Sequence, residues 1–219
     1  MSGRSRTKPN ALAEPGPKPD IAGVLAVQSK RRPPSGRLSN RLWAFDELAT
    51  ELPESVLPTE LWDGELIKSP APSFQHQEVV LRFYKLLDAW ATRKQAGKAI
   101  AAPVDLVLSP RRAVQPDVLF IARERLRIVQ QCVRGPADLV AEVLSPASRR
   151  RDRIEKRDLY EQHGVREYWV LDPEAGTIEV LALESGEYRL AGRWREGETA
   201  RSQLLEGFSV PVDKVFRGA

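Results

Sequence analysis

A chain of 219 residues is long enough for one ordinary domain with a buried core plus appendages. With 42% hydrophobic and 29% charged residues it has the make-up of a soluble globular protein; no apolar run approaches the roughly 20 residues needed to span a bilayer, and the single cysteine, Cys132, excludes an internal disulfide and fits a reducing, cytoplasmic compartment. The net charge of +4 is unevenly spread: residues 1–37 hold eight Lys/Arg against two acids, which leaves 26 basic and 28 acidic residues for the rest, so any contact of the core with nucleic acid must come from local clusters.

Residues 1–37 are rich in Pro, Ser, Gly, Lys and Arg without apolar periodicity, the composition of a disordered basic arm. Within it Ile21 to Val27 is apolar but too short, and wrongly flanked, for a secretory signal. A single domain is expected over residues 38–219, with order beginning near Leu38. Ser39 or Asn40 can cap a short helix bearing Leu42, Trp43, Phe45 and Leu48. In Glu60-Leu-Trp-Asp-Gly-Glu-Leu-Ile67 an Asp-Gly pair between apolar residues signals a two-residue hairpin. Phe74 to about Lys94 predicts the longest helix, with Val79, Val80, Phe83, Leu86, Leu87 and Trp90 as its apolar stripe and Gly97 ending it.

Strands follow. Ala102 to Leu108 and Asp117 to Ile121 are expected to pair through Ser109-Pro-Arg-Arg112, and Asp138 to Leu144 is apolar enough for a strand covered on both faces. A helix from about Ser148 to His163 closes at Gly164. Glu167 to Asp172 and Thr177 to Leu183 make a hairpin around Pro173-Glu-Ala-Gly176, and Tyr188 to Trp194 adds an edge strand. The expected fold class is α/β, a mixed sheet with helices against it.

Two carboxylates stand where propensity would not put them. Asp117 follows Pro116 at the head of Val118-Leu-Phe-Ile121, and Glu142 lies inside Leu139-Val-Ala-Glu-Val-Leu144, sharing a strand face with Val140 and Leu144. An ionised carboxylate in such a setting is costly unless it is paired or binds a cation. Two of them on adjacent strands would converge on a hard divalent ion, and Mg²⁺ favours one or two carboxylates plus waters and substrate phosphate. On the following helix Asp152, Lys156 and Tyr160 are spaced by four and share a face. A helix folded back over the sheet could aim Lys156 at the carboxylates, to balance the charge of a phosphoryl transition state or orient the attacking water. Arg149, Arg150, Arg151 and Arg153 near the helix start form a local cluster suited to the phosphates of DNA.

Each signal alone has a plainer reading. An Asp at a strand start is commonly a turn residue, a mid-strand Glu an edge residue facing water, a Lys on an amphipathic helix solvated, and an Arg run an exposed first turn. Their order and spacing set the functional reading against these: Pro-Asp, 25 residues on a buried-strand Glu, and 14 further a helical Lys. Trp169 with Leu171 reads as core, His163 as a helix-end cap, and Asp105 and Asp172 as strand-end residues.

The motifs Gln115-Pro-Asp117, Ala141-Glu-Val-Leu-Ser-Pro146, Arg149-Arg-Arg-Asp152, Lys156, Tyr160 and Gly164-Val-Arg-Glu-Tyr-Trp-Val-Leu-Asp-Pro173 resemble the Uma-type restriction endonucleases of the PD-(D/E)xK nuclease superfamily. The resemblance covers about residues 40–185 and includes Glu60-Leu-Trp-Asp-Gly-Glu65 and His76. It implies a restriction-endonuclease-like core, phosphodiester hydrolysis dependent on Mg²⁺ with Mn²⁺ as a substitute, and a homodimer. Carried over, Asp117 and Glu142 would be metal ligands, Lys156 the active-site lysine, Glu60 a supporting acid and His76 a pocket residue. One departure stands out: the superfamily's Lys two residues beyond the Glu is here Leu144, so the role must have moved to Lys156. Two rivals remain: a nucleic-acid-binding module that keeps the fold without cutting, and a metal-independent acid–base hydrolase of a non-nucleic substrate using the same carboxylates.

Overall fold

The computed structural model describes residues 42–51 and 59–217. The basic arm of residues 1–37, the onset of order near Leu38 and the Ser39 or Asn40 cap lie outside the described residues. Helix α1 spans Phe45–Glu51, and Leu42 and Trp43 precede it rather than belong to it. Its entry is closed from inside, by Glu47 Oε2 accepting the Ala44 N–H at 2.9 Å, one half of a capping box.

Strands β1 (Thr59–Trp62) and β2 (Glu65–Lys68) form the expected hairpin. Asp63 and Gly64 both have positive φ, 50° and 89°, as a two-residue turn that follows the strand twist requires. Helix α2 (Phe74–Lys94) is capped by the Ser73 hydroxyl and ends at Gln95 in a left-handed conformation, two residues before Gly97. Gly97 instead opens strand β3 (Gly97–Ala101), where a Cβ would stand 2.0 Å from the Ile121 carbonyl oxygen of the neighbouring strand.

The expected single strand from Ala102 to Leu108 is corrected. Strand β3 pairs antiparallel with β6 (Val118–Ala122), whereas β4 (Leu106–Ser109) turns at Pro110 and Arg111 into β5 (Arg112–Val114) in another sheet. The apolar run thus serves two sheets, and the chain breaks at residues 102–105 between them. After a 3-10 turn (Arg123–Ile128) come β7 (Val133–Arg134) and the fully buried β8 (Leu139–Val143). The helical return is a π segment (Arg151–Lys156) running into α3 (Arg157–His163), with Gly164 as the cap. Strands β9 (Glu167–Asp172), β10 (Thr177–Glu184) and β11 (Glu187–Arg195), the short pair β12 (Thr199–Arg201) and β13 (Ser209–Pro211), and helix α4 (Val212–Phe216) complete the chain.

The central sheet runs β11-β10-β9-β8-β6-β3, with β11 on the edge and β8–β9 its parallel pair, the one joined by a helical crossover. A second sheet runs β2-β1-β5-β4-β7. The central sheet is covered on both faces, as the continuous apolarity of β8 required. Leu139, Ala141 and Val143 face α2, packed with Phe83, Leu87, Trp169 and Phe208, while Val140 and Leu144 face α3, with Leu159, Tyr160 and Tyr168. Period-two alternation therefore sends Glu142 to the α3 face. Among the described residues no helix is long and apolar enough to cross a membrane.

Candidate active site

Asp117 lies one residue before β6. Val118 pairs antiparallel with Ala141, so Asp117 falls opposite Glu142, and opposite residues of antiparallel strands share a face. The Val143 N–H donates to Asp117 Oδ2 at 2.7 Å, which fixes the carboxylate at the open end of the sheet. From the other face His76, in the first turn of α2, brings Nε2 to 3.3 Å from Asp117 Oδ2 and 3.0 Å from the Val143 carbonyl oxygen. Asp117 and His76 keep 17% and 13% of their side chains exposed, so this end of the site meets solvent.

Glu142 is buried, and its Oε1 accepts from Tyr160 Oη at 2.6 Å and from Lys156 Nζ at 3.0 Å. Lys156 is buried too; Glu60 Oε1 of β1 stands 3.1 Å from Nζ and Asp152 Oδ1 3.7 Å. Glu60 is itself held by Trp62 Nε1 at 3.1 Å and the Gln115 N–H at 3.2 Å. Arg151 reaches the edge of the cluster, 4.0 Å from Glu60 Oε2.

The helix needs its π segment to do this. Four residues overshoot one turn of α-helix and undershoot one turn of the wider π-helix. Asp152 to Lys156 is a step through π geometry and Lys156 to Tyr160 a step through α, so the two drifts offset and all three side chains meet the sheet on one line. Tyr168 Oη donates to the Asp152 carbonyl oxygen at 2.9 Å, supplying a partner to the widened backbone.

The electrostatics follow from burial. Desolvation, with Asp117 and Asp152 close by, pushes the Glu142 carboxyl well above the ordinary range against the pull of Lys156 and Tyr160. Desolvation also raises Asp152, against Lys156 and the Ser148 hydroxyl. Burial alone would lower Lys156, but Glu142, Glu60, Asp152 and Asp117 overcome it and hold the ammonium well above its usual value. Lys156 is therefore a fixed positive charge and not a base. His76 is raised as well: burial works against its charged form, but Asp117 and the Val143 carbonyl outweigh it.

The structure thus brings together all five residues expected from sequence, Glu60, His76, Asp117, Glu142 and Lys156. It adds Asp152 and Tyr160, whose spacing of four from Lys156 was visible, and Trp62, Gln115 and the Val143 backbone, which stood inside the quoted motifs with no role given to them. The arginine cluster is corrected. Arg149 pairs with Asp172 and Glu174, Arg153 with Asp172 and Glu179, and Arg150 with Glu155, so three of the four turn to acids away from the site and only Arg151 borders it. Asp172 is accordingly an ion-pair anchor, and His163 caps its helix through Nδ1 and the Leu159 carbonyl at 2.8 Å.

The donor set fits a hard divalent cation. Three carboxylates (Glu60, Glu142, Asp152) surround one lysine in a largely desolvated place, and Asp117 lies near enough to add to their field. Among the described residues no three His, Cys, Asp or Glu side chains form a ligand cage by themselves.

A mixed sheet sandwiched by helices, with two acids opposed on paired strands and a lysine laid over them, defines a restriction-endonuclease-type α/β core. The chain belongs to the Uma2 family, described as "Putative restriction endonuclease", whose model matches residues 44–213. Among solved structures, a "putative nuclease belonging to DUF820" from Anabaena variabilis ATCC 29413 has the same fold, with a TM-score of 0.67 and 17% identity over 79% of this chain and 97% of that one. The DrdV–DNA complex aligns more loosely, at a TM-score of 0.36 and 16% identity over 66% of this chain and 13% of that one. No curated protein matches the chain.

Proposed function

We propose that this protein is a divalent-metal-dependent endonuclease that hydrolyses phosphodiester bonds of DNA. The observation that carries the reading is the register that sets Asp117 opposite Glu142 with the Lys156 amine 3.0 Å from Glu142. Family membership and the nuclease fold support the same class. Asp117 and Glu142 would hold Mg²⁺ or Mn²⁺; such an ion, when bound, polarises the scissile phosphate and acidifies a bound water. Lys156 keeps its proton and offers a fixed ammonium beside the place where charge builds up on the phosphate. Glu60 and Asp152 orient that amine, the Tyr160 hydroxyl orients Glu142, and Arg151 at the rim offers a backbone-phosphate contact. A homodimer would present two such centres to the two strands of a duplex.

The test is nicking of supercoiled plasmid by purified protein with Mg²⁺. Cleavage is expected, and is expected to disappear with EDTA, with Asp117→Ala and with Lys156→Ala; cleavage surviving all three would overturn the assignment. A second reading, a module that binds nucleic acid without cutting, is favoured by one observation: Lys156 is already paired with three carboxylates, a set that is stable without substrate chemistry. A gel shift that persists in EDTA, with no nicking at any Mg²⁺ or Mn²⁺ concentration, would establish it.

A further inference from the structure

We infer that the outward face of helix α2 is a seam between two copies of this chain, packed antiparallel about a two-fold axis beside Leu81. The inference gives the proposed homodimer a surface, and it rests on the helix face and not on metal or cleavage. Helix α2 buries Val79, Val80, Phe83, Leu87, Trp90 and Ala91. Its opposite stripe, Phe74, Glu78, Leu81, Lys85 and Ala89, returns at steps of three and four residues and faces out. Phe74 is 82% exposed and Leu81 47%. A lone exposed apolar side chain is ordinary. Two of them on one face, with an acid between them and a base beyond, make a stripe that a second helix can cover.

The charges choose the occupant and its direction. Glu78 stands one turn before Leu81, and Lys85 one turn after it. Set antiparallel, with Leu81 beside Leu81 of a second copy, the stripe is its own complement. Glu78 meets Lys85 of the second copy, Lys85 meets its Glu78, and Phe74 falls on its Ala89, a large side chain against a small one. Set parallel, Glu78 would meet Glu78 and Lys85 would meet Lys85. A slide of about one turn would bring Glu78 against Asp88. Lys85 is exposed and has no ion-pair partner among the described residues, and Glu78 keeps 40% of its side chain exposed beside its pair with Arg82. Arg82 itself is drawn off the stripe, donating to Glu78 Oε1 at 2.8 Å and to the Phe216 carbonyl oxygen at 3.1 Å.

A helix of 21 residues is about 31 Å long, enough for the whole stripe to pair. A contact of one helix from each copy lies at the small end of interfaces, under roughly 1,200 Å², so the dimer forms and parts with concentration. His76 is two residues from Phe74, about 200° around the helix, so the seam leaves the site end of α2 open.

The experiment uses the full chain, without DNA or added metal, in sedimentation velocity from micromolar to several hundred micromolar protein. The wild type is expected to pass from monomer to dimer over that range. Leu81→Arg, which sets two guanidiniums beside the axis, should stay monomeric throughout. Glu78→Lys and Lys85→Glu should each weaken the dimer by about tenfold, since each makes two facing pairs repulsive, and the double exchange Glu78→Lys with Lys85→Glu should bring it back to within about threefold of wild type. A folding defect, or loss of the pair with Arg82, would not be repaired by the second exchange; circular dichroism and melting curves check the fold of each variant. A chain that is monomeric at every concentration would overturn the inference and leave the face to a partner of another kind. A dimer that ignores Leu81→Arg, or that the double exchange does not restore, would place the seam elsewhere and overturn it equally. None of these results touches plasmid nicking by the wild type, so the nuclease reading stands or falls on its own test.

Discussion

Lys156 Nζ lies 3.0 Å from Glu142 Oε1 although the two residues come from a helix and a central strand, and the pair is closed off from solvent. Glu60 and Asp152 add to the field of Glu142 in holding the ammonium there, and the ammonium in turn is a counter-charge that the three buried acids share.

Lys156→Met is therefore expected to unfold more easily as well as to stop cleavage. It leaves buried carboxylates without their counter-charge, a loss of about 3–5 kcal/mol where one partner of a buried pair is removed. The Lys156 pKa is raised on folding, so its contribution is complete below the unfolded value of about 10.4 and fades only as pH rises through the still higher folded value. Urea denaturation at pH 7 should show the full deficit. A midpoint equal to wild type would contradict the ion-pair account.

Tyr160→Phe removes the donor 2.6 Å from Glu142 Oε1 and leaves that oxygen short of a buried partner. The cost is about 1–3 kcal/mol of stability. Because Tyr160 acts by orienting Glu142, turnover should fall while KM for DNA stays near wild type. Equal loss in both parameters would point to a binding role instead.

If the protein works as proposed, added Mn²⁺ or Mg²⁺ should raise the thermal midpoint, since the ion would fill a site formed in the folded chain and not in the unfolded one. At 100 times the dissociation constant the gain is about 2.7 kcal/mol. Asp117→Asn and Glu142→Gln should each melt without responding to the ion. An undiminished shift in either variant would remove that residue from the ligand set.

Asp172 supplies a pH test away from the site. Burial opposes its charge, but the Arg149 guanidinium, the Ala175 N–H and Arg153 hold its pKa below the usual carboxylate value. A depressed folded pKa gives stability that is present above the unfolded value of about 3.9 and is lost as pH falls through the folded one. Asp172→Asn should cost about 2 kcal/mol at pH 7, and the gap to wild type should narrow below about pH 4. A gap that does not change with pH would mean that shape, not charge, sets the cost.

Much of this was legible in the sequence where neighbours in the chain decide the structure. The apolar stripe of α2, the Asp63-Gly64 turn and the β9–β10 hairpin are local patterns and stand as expected. The stretch from Gly97 to Val114 was not, because its apolar residues do not say which of two sheets they serve. The chain after Trp194 gave no signal either. Strands β12 and β13 are short, and the loop between them is tied down by Glu167, which accepts from Ser202, Gln203 and Leu204 some 35 residues away. In the site, the strand acids and the helical lysine could be found by their awkward placement. The arginines misled for the mirror reason: their acids, Asp172, Glu174 and Glu179, come from strands the run itself does not mention.

Those same arginines make the lysine's position depend on residues it never touches. Arg149 lies just before, and Arg153 within, the segment that carries Asp152 and Lys156, and both are moored to the last residue of β9 and to acids beyond it. The six-residue π segment is thus clamped from outside while its inner side chains work inside. Replacing the outer arginines would slacken that mooring and loosen the amine, so the outer ion pairs and the buried cluster of this chain cannot be altered separately.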